Sequence, residues 1–344
     1  GANAMKQKIE QLKKLYITRD IHAINDMYQV IFKDNTKPIL IGTSNAEFYF
    51  NKEDIIKLFK SDLDSWGDVY IDTDSLTSHH IGPFEVVHVP STIRQTFDVT
   101  EDTYKSFSQY IDEIKEMNHA SNYQKLLLVQ QLLSHLLSDR PHGKRCYDWD
   151  LDINFIMKKD QAFLMMFSMP INELTPDVRL DDFDDYNQKI YQKELSMIAP
   201  HTQDEVDKNL LSGIADHIIY LKNASSISLN EKQFIFDIKD NYVSFMGIGY
   251  YTKQVTLDER LQNIMANVYD DEDPKRKLFN LRRDIANHFY HDAIGNDMKV
   301  QFRVIGIARK IDTTYIIEYI KISLPFNLIL EEKTNNKLAK NIHG

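Results

Sequence analysis

The sequence holds a single cysteine, Cys146, in 344 residues, so no intrachain disulfide can form and nothing points to an oxidising compartment. A lone thiol becomes a nucleophile only beside a group that lowers its pKa. Cys146 follows the polar run His142-Gly143-Lys144-Arg145, and the plainer reading is an ordinary thiol. No window approaches the ~18 consecutive apolar residues of a membrane span. The stretch after Met5 is charged (Lys6, Lys8, Glu10, Lys13, Lys14) where a signal peptide would be apolar, and Gly1 to Ala4 read as an expression remnant. A cytoplasmic location without a membrane partner is therefore the expectation. Basic charge is also short, with 41 Lys+Arg against 51 Asp+Glu and a formal net charge of −10. The basic patch of a nucleic-acid binder is missing. The chain lacks a glycine-rich phosphate loop, a serine–histidine–acid motif and a paired zinc motif. Gly247-x-Gly249 lies inside a run read as strand, with no helix after it, so it is no dinucleotide fingerprint. No cofactor and no metal are assigned.

What is present is enough apolar surface for real cores: 42% hydrophobic and 11% aromatic residues, in a length that favours about two domains. Residues 6 to 33 read as helix, with Leu12, Leu15, Tyr16, Ile24, Met27, Tyr28, Ile31 and Phe32 recurring mostly at three and four. Short strands follow at Ile39 to Ile41 and Phe48 to Phe50, then a helix capped by Asn51. Strands are predicted at Val69 to Ile71 and Phe84 to Phe97, helices at 101–117 and 121–138, and strands at Trp149 to Met157 and Phe163 to Met169. The order then recurs: helices at 186–198 and 203–221, strands near 225–229, 233–238 and 242–254, helices at 256–269 and 275–291, and strands at 299–310 and 314–324.

Two landmarks support the repeat. Ser168-Met169-Pro170 answers Ser323-Leu324-Pro325 at a spacing of 155, and His135-Leu136 answers His288-Phe289 at 153. Duplication is the expectation, with domains at 5–180 and 181–333. The polar run Thr175 to Asp185 would join them. Its aspartates lack the glycine and distal glutamate of a calcium loop, so it reads as a solvated linker.

Three segments carry a resemblance: Asp64-Ser65-Trp66-Gly67-Asp68-Val69, Tyr147-x-Trp149, and Phe167-Ser168-Met169-Pro170 with Pro176-Asp177-Val178-Arg179. In this order they resemble bacterial SnoaL-like proteins of the nuclear transport factor 2-like superfamily, over most of residues 18 to 180. The second half rests on the repeat and has no tryptophan–glycine counterpart. The resemblance implies an α+β fold with two tandem cones, each a strongly bent, mostly antiparallel sheet wrapped around helices, with an inserted helix pair. It also implies a pocket at the open end, with Tyr49, Trp66, Trp149 and Phe167 as candidate lining. Such cones host isomerases, dehydratases, polyketide cyclases and members without known activity. The leading expectation is a small, largely apolar ligand in the first cone, with no assured chemistry. One alternative is acid–base catalysis by Asp62, Asp64 or Asp68 beside Trp66, where burial would move a carboxyl toward neutrality. Another is a protein adaptor working through the inserted helices.

His79, His80 and His88 could be metal ligands, but the plainer reading is surface or hydrogen-bonded histidines. Asp284, His288 and Asp292 share a helix face, again read as hydrogen-bonded. Along 149–157 the odd positions are apolar, leaving Asp150, Asp152 and Asn154 opposite; along 301–309, Gln301, Arg303, Ile305 and Arg309 take the corresponding face. Because cones of this superfamily often dimerise through that outer face, an intramolecular pseudo-dimer is expected, with Asp152 near Arg303. A further homo-oligomer is left open.

Overall fold

The computed structural model describes residues 2–44, 47–99, 109, 112–113, 116–118, 143–170, 203–254, 295 and 297–325. Apart from isolated positions, the helices expected at 101–138, 186–198 and 256–291 lie outside the described residues. So do the linker at 175–185, the 284–292 histidine cluster and the side chain of Cys146.

The amphipathic pattern of residues 6 to 33 folds as two helices, α1 (Ala2–Thr18) and α2 (Ile24–Phe32), with a short 3-10 turn (Ile21–Ala23) between them. The break has a local cause. Arg19 takes a left-handed backbone (φ 53°), and the Asp20 carboxylate accepts the His22 amide at 2.9 Å, capping a new start where helix would otherwise continue. α3 (Lys52–Ser65) begins at Asn51, whose side chain accepts the Asp54 amide at 2.9 Å.

A seven-stranded sheet receives these helices. Its strands are β1 (Ile39–Ile41), β2 (Phe48–Tyr49), β3 (Asp68–Ile71), β4 (Thr77–Ile81), β5 (Phe84–Val99), β6 (Gly143–Lys158) and β7 (Gln161–Ser168), in the order β2-β1-β7-β6-β5-β3 with β4 also on β5. Only β1–β7 is parallel. β3 and β4 share one edge of the sixteen-residue β5, pairing with successive stretches of it. His79 and His80, which fall between the predicted strands, are strand residues of β4.

Inward-facing Leu151, Ile153, Phe155, Met157, Met165 and Phe167 meet the helical residues Ile9, Leu12, Tyr28, Phe32, Phe59 and Leu63 in one buried cluster. Lys8, itself buried, ties α1 to the β6–β7 turn through the Asp160 carboxylate and carbonyl, each at 2.8 Å. β7 is buried on both faces, which is why it reads as a near-continuous apolar run.

The second sheet is four-stranded and wholly antiparallel: β8 (Ser226–Lys239), β9 (Tyr242–Gln254), β10 (Asp297–Ile311) and β11 (Thr314–Ser323), in the order β11-β10-β9-β8. α4 (Gln203–Lys222) lies against β8 and β11. The Gly247-x-Gly249 pair is explained by packing. A Cβ on Gly247 would sit 2.4 Å from the Phe234 ring, and one on Gly249 2.8 Å from Phe302.

The two sheets meet through their outer faces. Phe84, Val86, Ile156, Leu164 and Met166 share a buried cluster with Ile235, Met246, Ile248, Ile305 and Ile307. Polar contacts cross the same boundary. Lys158 pairs with Asp237 at 2.7 Å and Lys321 with Asp152 at 3.1 Å. Gly82, in a left-handed turn (φ 57°), leaves room for the Tyr242 ring, which a Cβ there would meet at 2.5 Å. Arg303, fully buried, donates to the carbonyls of Gly42 (2.7 Å) and Ser44 (3.1 Å) and to Ser323 Oγ (3.1 Å).

The two C-terminal hairpins share a register. Asp152 pairs with Ser168 on β6–β7 and Arg303 with Ser323 on β10–β11. Each ladder then runs four further pairs before an irregularity, at Ile156/Met157 in one and Ile307/Ala308 in the other.

Candidate functional site

Two places in this frame bring polar side chains into apolar surroundings. The first is where α3 meets the sheet. Its inner face carries Ile55, Leu58, Phe59, Asp62 and Leu63, so Asp62 faces the core at 5% exposure, while Asp64 projects to solvent. Asp68 is also exposed and pairs with Arg19 at 2.8 Å. The same guanidinium donates to the Leu63 carbonyl at 2.8 Å, clipping the end of α1 to the end of α3. Of the three aspartates nominated from sequence, Asp62 alone is inside.

Trp66 ends α3, its amide donating to the Asp62 carbonyl at 2.8 Å. Its indole is 6% exposed and stands edge-on to Phe167, with centroids 6.1 Å apart at 90°. Tyr49 and Trp149 border the same cluster, so the four nominated lining residues belong to one core. Tyr16, read only as part of a helix stripe, joins them. Its hydroxyl pKa is driven well above the ordinary value, by burial first and then by the nearby charges of Asp62 and Glu47. Neither the Tyr16 hydroxyl nor Trp66 Nε1 has a hydrogen-bond partner among the described residues. A buried polar group left unmatched costs about 1–3 kcal/mol, so these two donors, with the Asp62 charge felt at Tyr16, are polar points in an apolar interior.

The second place is a cavity of about 690 Å³ between the sheets. β4 contributes Thr77, His79 and Ile81, β5 Val86 and His88, and β6 Asp152 and Asn154. Leu221 and Lys222 at the end of α4 and residues 318–322 of β11 form the other wall. Antiparallel pairing sets Asn154 directly across from His88. His88 Nε2 lies 3.0 Å from Asp152 Oδ1, and Lys321 holds the other oxygen at 3.1 Å. Burial is the largest influence on the Asp152 carboxyl and works to raise its pKa. The hydrogen bond from His88 and the charge and hydrogen bond of Lys321 outweigh it, leaving the pKa below the usual range. Tyr319 is pushed far up, by burial and then by the Asp152 charge.

Asp152 and Arg303, expected near one another, both stand at the boundary between the sheets; Asp152 pairs with Lys321, while Arg303 reaches into the β1–β2 turn. His80 lies 3.5 Å from Glu85 on the exposed side of β4. Among the described residues no three histidine, cysteine or acidic side chains gather as a metal set, and no helix is long and apolar enough to cross a membrane. Sequence reasoning passed over Tyr16 and the His88–Asp152–Lys321 group. Alternation along β5 and β6 does place His88 and Asp152 on one face, but Lys321 comes from a strand 169 positions away.

No family model and no curated protein matches the chain. Among solved structures, one neighbour is described as a SnoaL-like polyketide cyclase from Jannaschia sp. CCS1. It is 13% identical with a TM-score of 0.25, over 48% of this chain and 85% of its own. Another is an Ntf2-like protein involved in plasmid conjugation, 9% identical with a TM-score of 0.15, over 83% and 86% respectively. Scores this low carry no argument. The α+β assignment stands on the strand order and helices described above.

Proposed function

We propose that the chain is a small-molecule-binding protein made of two related cones, residues 5–180 and 181–333, that cover each other's outer strands, with a small, largely apolar ligand held in the first cone near Trp66. The observation that carries the ligand reading is the trio of Tyr16, Asp62 and Trp66. An apolar interior with a few convergent polar groups is the usual make-up of a ligand site. Tyr49, Trp149 and Phe167 supply the apolar wall.

The duplication is supported by the register. In both hairpins the same number of pairs separates the serine from the ladder irregularity, and in both sheets the last four strands follow the same antiparallel order. Adding 151 to Asp152 and to Ile156 gives Arg303 and Ile307, so the landmarks coincide without an insertion between them.

Native mass spectrometry of the purified chain tests the ligand. A retained small molecule, lost in Trp66→Phe, supports the reading. A bare mass, together with unchanged tryptophan emission on titration with a panel of apolar compounds, overturns it.

A second reading, isomerase, dehydratase or cyclase chemistry, is favoured by the burial of Asp62, since an enclosed carboxylate is the group such proton transfers use. Asp62→Asn separates the two. It abolishes turnover if Asp62 is the acid or base, and leaves ligand retention largely intact if the cone only binds. The adaptor reading concerns helices outside the described residues.

A further inference from the structure

The cavity between the sheets is distinct from the cone interior and has its own unmet chemistry. Asn154 sits on β6 at 1% exposure, lines the cavity, and its side-chain Nδ2 has no hydrogen-bond partner among the described residues. A buried primary amide presents two N–H donors, and leaving them unmatched costs about 1–3 kcal/mol. An apolar side chain of the same branched shape would leave no donor unmatched, so the amide is a cost that an acceptor brought by an occupant would relieve.

The charges around it are matched. Asp152 is held by Lys321 at 3.1 Å and His88 at 3.0 Å, and Glu318 by Arg309 at 2.6 Å. An occupant therefore need not bring a charge, but it must bring an acceptor to Asn154. Apolar Ile81 and Val86 continue the wall on the first sheet; across from them Tyr319 of β11 faces the first sheet beside Lys321, and Ile320 and Ile322 line the strand's edge. The volume, about 690 Å³, lies within the range of sites that enclose small organic molecules.

We infer that this inter-sheet cavity binds an uncharged carbonyl compound with an apolar body, its oxygen accepting from Asn154. The site needs both sheets, because the acceptor-seeking amide comes from the first and Tyr319 with the rest of the β11 wall from the second.

The test uses the full chain with 2-octanone and octanoate as probes, followed by ligand-observed NMR and competition. Asn154→Leu removes the donor and keeps the branched side-chain shape. Thr77→Trp, at an exposed rim position of β4, obstructs the cavity without touching the amide. The inference expects saturable 2-octanone binding, at least about 10-fold weaker in either variant, and weaker binding of octanoate, with Asn154→Leu melting no lower than wild type. Any of three results overturns it: no saturable 2-octanone binding, octanoate preferred over the ketone, or binding unchanged in either variant. If Asn154→Leu does not fold, an amide role in stability replaces the inference unless Thr77→Trp abolishes ketone binding. Ligand held in the first cone is told apart by Trp66→Phe, which should leave 2-octanone binding here unaltered.

Discussion

Replacing Arg303 by methionine removes a guanidinium that bridges the second sheet to the β1–β2 turn of the first. Its contacts at 2.7 Å with the Gly42 carbonyl and 3.1 Å with the Ser44 carbonyl are hydrogen bonds from a charged donor. Each such bond contributes about 1.5–3 kcal/mol, so the pair accounts for about 3–6 kcal/mol. The contact with the Phe167 carbonyl, at 3.4 Å, adds little. Part of the loss is offset because methionine no longer has to be stripped of the water that a guanidinium holds. The net expectation is a loss of about 3–5 kcal/mol. The control is Arg309→Met, whose exposed, solvent-screened pair with Glu318 should contribute little despite its 2.6 Å length. Equilibrium urea unfolding measures both variants, with circular dichroism reporting on both sheets and tryptophan emission on the first core. At roughly 2 °C per kcal/mol for a chain of this size, Arg303→Met should melt about 6–10 °C lower. A midpoint shift indistinguishable from that of Arg309→Met would refute the bridge.

Asp152 holds a carboxyl whose folded pKa is depressed, so its contribution is complete at neutral pH and lost as pH falls through that folded value. The stability difference between wild type and Asp152→Asn should therefore shrink on acidification below about pH 4, the ordinary aspartate range, when followed by urea titration across pH. Gly82→Ala meets both a left-handed backbone and the Tyr242 ring at 2.5 Å, and should lower stability by about 1–3 kcal/mol, read as a lower melting temperature. Phe167→Ala empties the space between Trp66 and Phe59, with an expected loss of about 3–5 kcal/mol and a change in tryptophan emission.

Elements with strong local signals were legible in the sequence. β1, β9 and α4 fall within a residue or two of where periodicity places them, and Asn51 caps α3 as its residue type requires. The break between α1 and α2 was not legible. Both segments carry the helical period, which masks the local Asp20 cap, and the Arg19 side chain that holds the turn in place finds its acceptors at Leu63 and Asp68 only after folding. The β4 strand was hidden for a related reason: Thr77 to Ile81 has little apolar content, and its strand character comes from pairing with β5. At the candidate sites, alternation identified the outer face holding Asp152 and Asn154. It did not single out Tyr16, whose spacing is that of any core residue, nor decide which aspartate near Trp66 turns inward. That choice is set by the rotation of α3, which takes Asp62 in with Phe59 and Leu63 and leaves Asp64 outside.

Housing both sheets in one polypeptide changes what their shared boundary has to satisfy. In an assembly of identical subunits, each boundary charge faces copies of the same surface, so the face must complement itself. Here the same ladder position holds a carboxylate at Asp152 in one sheet and a guanidinium at Arg303 in the other. One half can then offer carbonyls to a cation while the other supplies that cation, a division of labour closed to a symmetric pair. The tether also keeps the halves together at any dilution, so the contact need not be strong enough to assemble separate molecules.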